Sequence, residues 1–435
     1  MRGNRGRETL LCMKAMVLLF FTAALSLSAA DVTGTWEVFI SGGQMNEARR
    51  VTIASDNGQY KWGLRDFEFT GALQGDAVNF HCVRKGKPCG DLKGLLTESG
   101  MSGDGVADGI PVKWSARRPA TRPSSAPTRH DFTPTVFYRE FSGAKEPALR
   151  IFPGDMVHTE SVDAGGWDAH GVHRVFGGNP LTGPFYIEGA MPGDALLVKL
   201  TRVRLNRDSA QSGDGVVGSA LDPYYFRDQP KIEHFDSEWK LDRESQTGTL
   251  KNPTERLKNY KIPLRPMIGC IGVAPPGNQS FRAGYLGNWG GNMDYNQIVE
   301  GTTVVLPVYV AGALLFVGDG HAAQGDGELA GDALETSMDI EFTVDLERDA
   351  NINAPRFEND EYVMTSGVGN SLEDALQGAT TGMSEYLEKR YKLNPAEVGI
   401  VLDTAMRYDI AEVVDPEVHI VAKLPRKALA GLKSD

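Results

Sequence analysis

The chain has 435 residues, 41% of them hydrophobic and 23% charged, with a formal net charge of −12. That length supports two or three domains with cores of their own, and the composition excludes a disordered polymer. The acidic balance excludes nucleic acid as the main partner, because a phosphate backbone requires a basic face.

Arg2, Arg5, Arg7 and Lys14 precede an apolar stretch, Ala15 to Leu27, that ends in Ser28-Ala29-Ala30. The stretch is shorter than a bilayer span, and small residues follow it where a signal peptidase cuts. Residues 1–30 therefore predict a secretory signal and an exported product, periplasmic or extracellular, beginning near Asp31. An uncleaved anchor is the alternative reading. No later segment reaches transmembrane length, so no membrane span is expected after signal removal. Export makes disulfides possible. Cys82 and Cys89 flank the turn-like "VRKGKP", where a local bridge and two free thiols are both open.

Residues 31–115 are written as short alternating segments: "GTWEVFI", "RRVTIA", "QYKWGL", "FEFTGAL", "AVNFHCV", "LKGLLT" and "PVKWSA". Their turn residues and spacing predict a small antiparallel β domain that closes as a barrel or sandwich. The tract 116–130, "ARRPATRPSSAPTRH", has no apolar period and reads as a linker. From 131 to 435 the grammar is strand, tight turn, strand, with Pro153-Gly154-Asp155 and Pro192-Gly193-Asp194 as two such turns. Pro307 and Gly312 interrupt the apolar run before residue 318 and disfavour one long helix. Near the end, Leu372, Ala375, Leu376, Ala379, Met383 and Leu387 form a helical stripe behind an N-cap at Ser371. A second helix starts at the Asn394-Pro395 cap, and "VHIVAKLP" closes the chain as a strand.

The sequence has no GxSxG elbow, HExxH, Walker loop or GxGxxG after a strand. Acids and histidines gather instead in three glycine-rich patches. The first holds His158, Glu160, Asp163, Asp168, His170 and His173; the second is "GNWGGNMDYNQ", with Asn292 and Asp294. The third is "GDGHAAQGDGE", with Asp319, His321, Asp326 and Glu328. Carboxylates and imidazoles on glycine-permitted loops suit a divalent ion or acid–base chemistry. Gly-Asp turns also connect ordinary hairpins, with their acids solvated.

"NPLTGPFYIEGAMPGDAL", "IGCIGVAPPG", "GGNMD", "GTTVVLPVYVAGALLFVGDGHAAQGDGE" and "SLEDAL…VVDPEVHIVAKLP" resemble the acetamidase/formamidase family and occur in its order across about residues 130–430. The resemblance implies a mainly β, sandwich- or barrel-like fold with a small α+β portion. It also implies a homo-oligomer, divalent ions near the acidic loops, and hydrolysis of a small-molecule amide to carboxylate and ammonia. Carried over by motif, it points to Asp163, Asn292, Asp294, His321, Asp326 and Glu328. The N-terminal β domain, the signal and the histidine-rich "AGGWDAHGVHR" depart from the family pattern.

On this reading His321, Asp163 and Asp319 hold a divalent metal, zinc or calcium, which activates water. Glu328 is the general base, Asn292 stabilises the oxyanion, and Asp294 and Asp326 complete the catalytic set. Two rivals stand beside it. Cys270 in its apolar run is a nucleophile candidate, and the scaffold could serve as a secreted ion- or carbohydrate-binding protein without turnover.

Overall fold

The computed structural model describes residues 31–230 and 235–433. The expected signal segment lies outside these residues. The fold is mainly β, as the sequence pattern requires.

Eight strands, β1 (Gly34–Gly42), β2 (Met45–Asp56), β3 (Gln59–Leu64), β4 (Phe67–Gln74), β5 (Ala77–Arg84), β6 (Lys87–Thr97), β7 (Gly100–Ala107) and β8 (Ile110–Arg117), form a closed antiparallel barrel. The period of two decides which side chains fill it. In β8, Val112, Trp114 and Ala116 point inward while Pro111, Lys113 and Ser115 face solvent. Trp62 stacks on Phe69 with centroids 4.0 Å apart, and Phe80 meets Trp114 edge-on at 6.0 Å. The interior is therefore a packed core. A disulfide between Cys82 and Cys89 closes the β5–β6 hairpin.

The rest of the chain builds two large sheets, of eleven and nine strands, around one core. Helices Leu372–Tyr391 and Pro395–Ala405 cover the nine-stranded sheet, with Ala375, Ala379, Met383 and Leu387 inward. Ser371 and Asn394 cap them as the sequence predicts, the second through a full capping box. Leu372 and Leu376, at the edge of the stripe, stay exposed. Among the described residues no helix is long and apolar enough to cross a membrane.

Both Pro-Gly-Asp turns carry buried carboxylates that join segments. Asp194 accepts from the N–H groups of Met191 and Asp349 at 3.0 Å each and pairs with Arg348 and with Arg50 of the barrel, the latter at 2.7 Å. Asp155 pairs with Arg122 and accepts from the Thr128 N–H at 2.8 Å, with His130 at 3.1 Å. Despite its desolvation, backbone and Arg122 donors hold Asp155 down at about 2. The tract between barrel and sheets is thus strapped down along its second half.

His419 lies fully buried on the strand Val418–Pro425, between the Ser366 hydroxyl on Nε2 (2.8 Å) and the Met293 carbonyl on Nδ1 (2.7 Å). The carbonyl requires an N–H at Nδ1, so the Ser366 hydroxyl donates to a neutral ring. Burial lowers its pKa to about 4, partly offset by the Met293 carbonyl. A base depressed in the fold contributes stability above its unfolded value near 6.5 and loses it as pH falls toward 4. We expect this residue alone to remove about 3 kcal/mol across that window. Urea unfolding between pH 7 and 4 checks it: His419→Gln should flatten the slope by up to one proton, and an unchanged slope refutes the assignment.

Candidate active site

Four neighbouring strands of the eleven-stranded sheet build the site: Met267–Gly272, Gly290–Asn292, Leu315–His321 and Glu335–Thr336. Their register places Cys270 opposite both Asn292 and Gly318, and His321 opposite Glu335. Side chains from several chain segments therefore converge on one imidazole. His321 Nε2 lies 3.2 Å from Glu335, 3.5 Å from Asp319 and 3.8 Å from Asp294. Glu328 joins it from the loop that follows, and Asp415 approaches from the C-terminal hairpin through a 2.6 Å bond from Asn292 Nδ2. Asp294, Asp319 and His321 are each only 1% exposed, whereas Glu328 and Glu335 reach 7% and 9%, so the cluster opens toward those two.

The backbone is bent to achieve this. Asp294, Asp319 and Glu328 have φ of 37°, 57° and 49°, in the left-handed region that side-chain-bearing residues rarely adopt. Gly269 makes room beneath them. A Cβ there would lie 2.4 Å from Asp294 Oδ1 and 2.7 Å from Asp319 Oδ2.

Hydrogen bonding fixes the tautomer of His321. Gln324 donates from Nε2 to the carbonyls of Asp294 and Ala411, so its Oε1, 2.9 Å from His321 Nδ1, accepts. Nδ1 therefore carries a hydrogen, and Nε2 meets three carboxylates with either a proton or a lone pair. Burial opposes the imidazolium, but Glu335 and Asp319 outweigh it and push His321 upward. The acids respond in the same sense. Burial raises Asp294 and Glu328 well above the carboxylate range, Glu335 to about 7 and Asp415 to about 6, reinforced by their acidic neighbours.

Asp294 Oδ1, Asp319 Oδ1 and Glu335 Oε2 are buried without a hydrogen-bond partner among the described residues. Asp294, His321 and Glu328 form one set whose ligand atoms lie within 4.8 Å of one another; Asp319, His321 and Glu335 form a second. Buried carboxylates with unpartnered oxygens, grouped around an imidazole nitrogen with a fixed tautomer, are a donor set that suits a divalent cation.

The structure thus brings together Asn292, Asp294, Asp319, His321 and Glu328 of the expected residues. Asp163 does not join them. Its carboxylate is held by Arg207 at 2.6 Å and accepts from the Trp167 N–H at 2.9 Å, closing a turn. Asp326 is exposed and bonded to Asn296 at 2.7 Å. Asn292 cannot serve as an oxyanion donor, because both its N–H groups go to Asp294 and Asp415. Cys270 is fully buried, and burial together with Asp319 and Asp294 drives its thiol well above the ordinary value, opposite to what a nucleophile needs. In the first histidine-rich patch, His158 bridges Asp131 and Asp339 at 3.0 and 2.7 Å, and Asp168 caps its own turn. Sequence reasoning missed Glu335, Gln324, Asn179 and Asp415. Asn179 and Asp415 do lie in or beside quoted motifs, "GGNP" leading into "NPLTGPF" and "VVDPEVH".

The chain is similar to known proteins over the segment that carries this site. Residues 286–428, which carry most of it, match the model of the Acetamidase/Formamidase family. A candidate formamidase of Schizosaccharomyces pombe is 26% identical over 194 aligned positions, covering 34% of this chain; the chain spans about half, 47%, of that relative. A crystal structure of a predicted acetamidase/formamidase from Thermoanaerobacter tengcongensis is 27% identical, with a TM-score of 0.60 over 71% of this chain and 99% of that one. An acetamidase from Bacillus halodurans, also 27% identical, gives 0.58 over 69% and 99%. The fold and site define a scaffold of two large β-sheets with a buried acidic centre. Over residues 286–428 the chain is similar to the acetamidase/formamidase family.

Gly269→Ala is expected to displace Asp294 and Asp319 and to weaken Zn²⁺ binding roughly tenfold or more. Isothermal titration of protein dialysed against EDTA checks this, and unchanged affinity contradicts the geometry.

Proposed function

We propose that the chain hydrolyses the C–N bond of short-chain linear amides, formamide and acetamide among them, at the His321 cluster. The observation that carries this reading is His321 Nε2, its tautomer fixed by Gln324, facing the unpaired Oδ1 of Asp294 and one carboxylate oxygen each of Asp319 and Glu335. His321, Asp319, Glu335 and Asp294 would hold a divalent ion, with Zn²⁺ favoured by the imidazole and the high carboxylate count equally compatible with Ca²⁺. Such an ion lowers the pKa of a bound water and polarises the amide carbonyl.

This chain's residues supply the rest. Glu328 has no side-chain hydrogen bond among the described residues and lies at the open edge of the cluster, so its carboxyl is free to move a proton. Burial, strengthened by Glu335 and Asp319, favours the protonated form, with His321 opposing. In the ionised form, which His321 favours, the carboxylate takes a proton from the attacking water and delivers it to the amide nitrogen. The new C–O bond stays, the C–N bond breaks, and ammonia and a carboxylic acid leave. The relatives' names, acetamidase and formamidase, point to the same reaction.

We also read the chain as exported. The basic, then apolar, N-terminus and the Cys82–Cys89 disulfide support that reading.

Dialysis against EDTA should abolish ammonia release from formamide and acetamide, and Zn²⁺ should restore it; full turnover by verified metal-free protein overturns the metal reading. Glu328→Gln should lower kcat by about 10²–10⁴ while the protein still binds Zn²⁺. A variant with wild-type kcat removes Glu328 from proton transfer.

A further inference from the structure

A buried asparagine amide, a half-buried one and one buried thiol lie between the carboxylates of the cluster, and no step of the reaction above uses them. Asn292 Nδ2 donates to Asp294 Oδ2 at 2.5 Å and to Asp415 Oδ2 at 2.6 Å. Its Oδ1 accepts from Asn179 Nδ2 at 2.9 Å and from the Cys270 thiol at 2.7 Å. Asn179 Nδ2 has a second hydrogen, and it goes to Asp319 Oδ2 at 3.1 Å. Every donor and acceptor of the Asn292 side chain is thereby used. The chemistry leaves no freedom in the orientation: carboxylates only accept, so the NH₂ of Asn292 must face Asp294 and Asp415, and its oxygen must face the two donors.

This chain of amides has a directional consequence. On Asp294 and on Asp319 it occupies Oδ2 and leaves Oδ1 buried and unpartnered. We propose that Asn179 and Asn292 form a positioning relay, locked by Cys270, that fixes Asp319 with Oδ2 at 3.5 Å from His321 Nε2 and leaves Asp294 Oδ1, 3.8 Å from the same nitrogen, free for a shared cation. This rests on the metal-assisted reading above. Asn179 is the amide on which the relay turns, since its Nδ2 reaches both Asp319 Oδ2 and Asn292 Oδ1, with the Cys270 thiol beside the same two oxygens at 3.6 and 2.7 Å. It reaches the cluster from the loop before the strand Leu181–Ile187, at φ +54°, and its backbone N–H is anchored on the Ala164 carbonyl at 3.3 Å. The turn that Asp163 closes therefore supports Asn179, which gives that carboxylate an indirect part in the site. Cys270 acts as a donor, its Sγ lying 2.7 Å from Asn292 Oδ1.

The test is Zn²⁺ titration of the full chain after EDTA dialysis, with thermal unfolding and amide kinetics alongside. Asn179→Gly, which tolerates the backbone angle, should weaken Zn²⁺ binding roughly tenfold or more and depress kcat more than it raises KM. The metal-free protein should melt within a few degrees of wild type. Asn179→Asp, which keeps the shape and adds charge but loses the donor, should be no better. Cys270→Ala should weaken Zn²⁺ binding measurably, and Cys270→Ser, which restores a donor, should recover it. Wild-type Zn²⁺ affinity in folded Asn179→Gly overturns the proposal. If that variant does not fold, equal affinities in Cys270→Ala and Cys270→Ser overturn the thiol lock and with it the relay. Zn²⁺ binding that responds to these variants in a protein that hydrolyses no amide would retire the proposed function and leave the relay standing.

Discussion

Negative charge buried around a single imidazole is the constraint on which the rest of this structure depends. Asp294, Asp319, Glu328 and Glu335 gather within a few ångströms of His321, nearly shut off from water, and half-buried Asp415 joins them through Asn292. Uncompensated, such a group of carboxylates is among the costliest arrangements a protein interior can hold. Compensation comes in layers. Amide donors from Asn179 and Asn292 neutralise one oxygen on each of several acids, and retained protons lower the net charge. A divalent cation is the natural complement for the oxygens that are left over.

The architecture serves that concentration. A sheet of eleven strands supplies rigid rails, and glycine at position 269 lets two carboxylates approach where any side chain would collide. Positive φ at Asp294, Asp319 and Glu328 is local strain that only a well-packed surround can impose. The C-terminal hairpin then closes the site. Glu412 accepts the N–H groups of Val414 and Asp415 and so sets the turn from which Asp415 meets Asn292, while Val413 N–H bonds to Gly327 beside Glu328. The barrel stands apart from this chemistry but is docked by buried charge, through Arg50 on Asp194 and through Arg117, which links Glu37 to the Tyr186 hydroxyl.

The parts of this arrangement that are local were legible in the sequence. Alternation marked the barrel strands, caps marked both helices, and the density of acids in "GDGHAAQGDGE" marked Asp319, His321 and Glu328. Density misled where the same residues close turns. Asp163 and Asp326 sit in equally acidic, glycine-rich text, yet one pairs with Arg207 and the other with Asn296. No short-range pattern separates a carboxylate that caps a turn from one aimed at a shared centre. The remaining residues depend on long-range closure. Asn179 meets Asp319 across 140 positions, and Asn292 meets Asp415 across 123. Glu335 is visible only once strand register sets it opposite His321.

The central claim is that His321 and its surrounding acids form a cation site that the fold has prepared. The most direct measurement is an anomalous difference map, collected above and below the zinc absorption edge, from crystals of the full chain grown with Zn²⁺. The account predicts a strong peak within coordination distance of His321 Nε2 and of the free oxygens of Asp294 or Asp319. A map with no peak there, from protein that turns over amides at full rate, would contradict it.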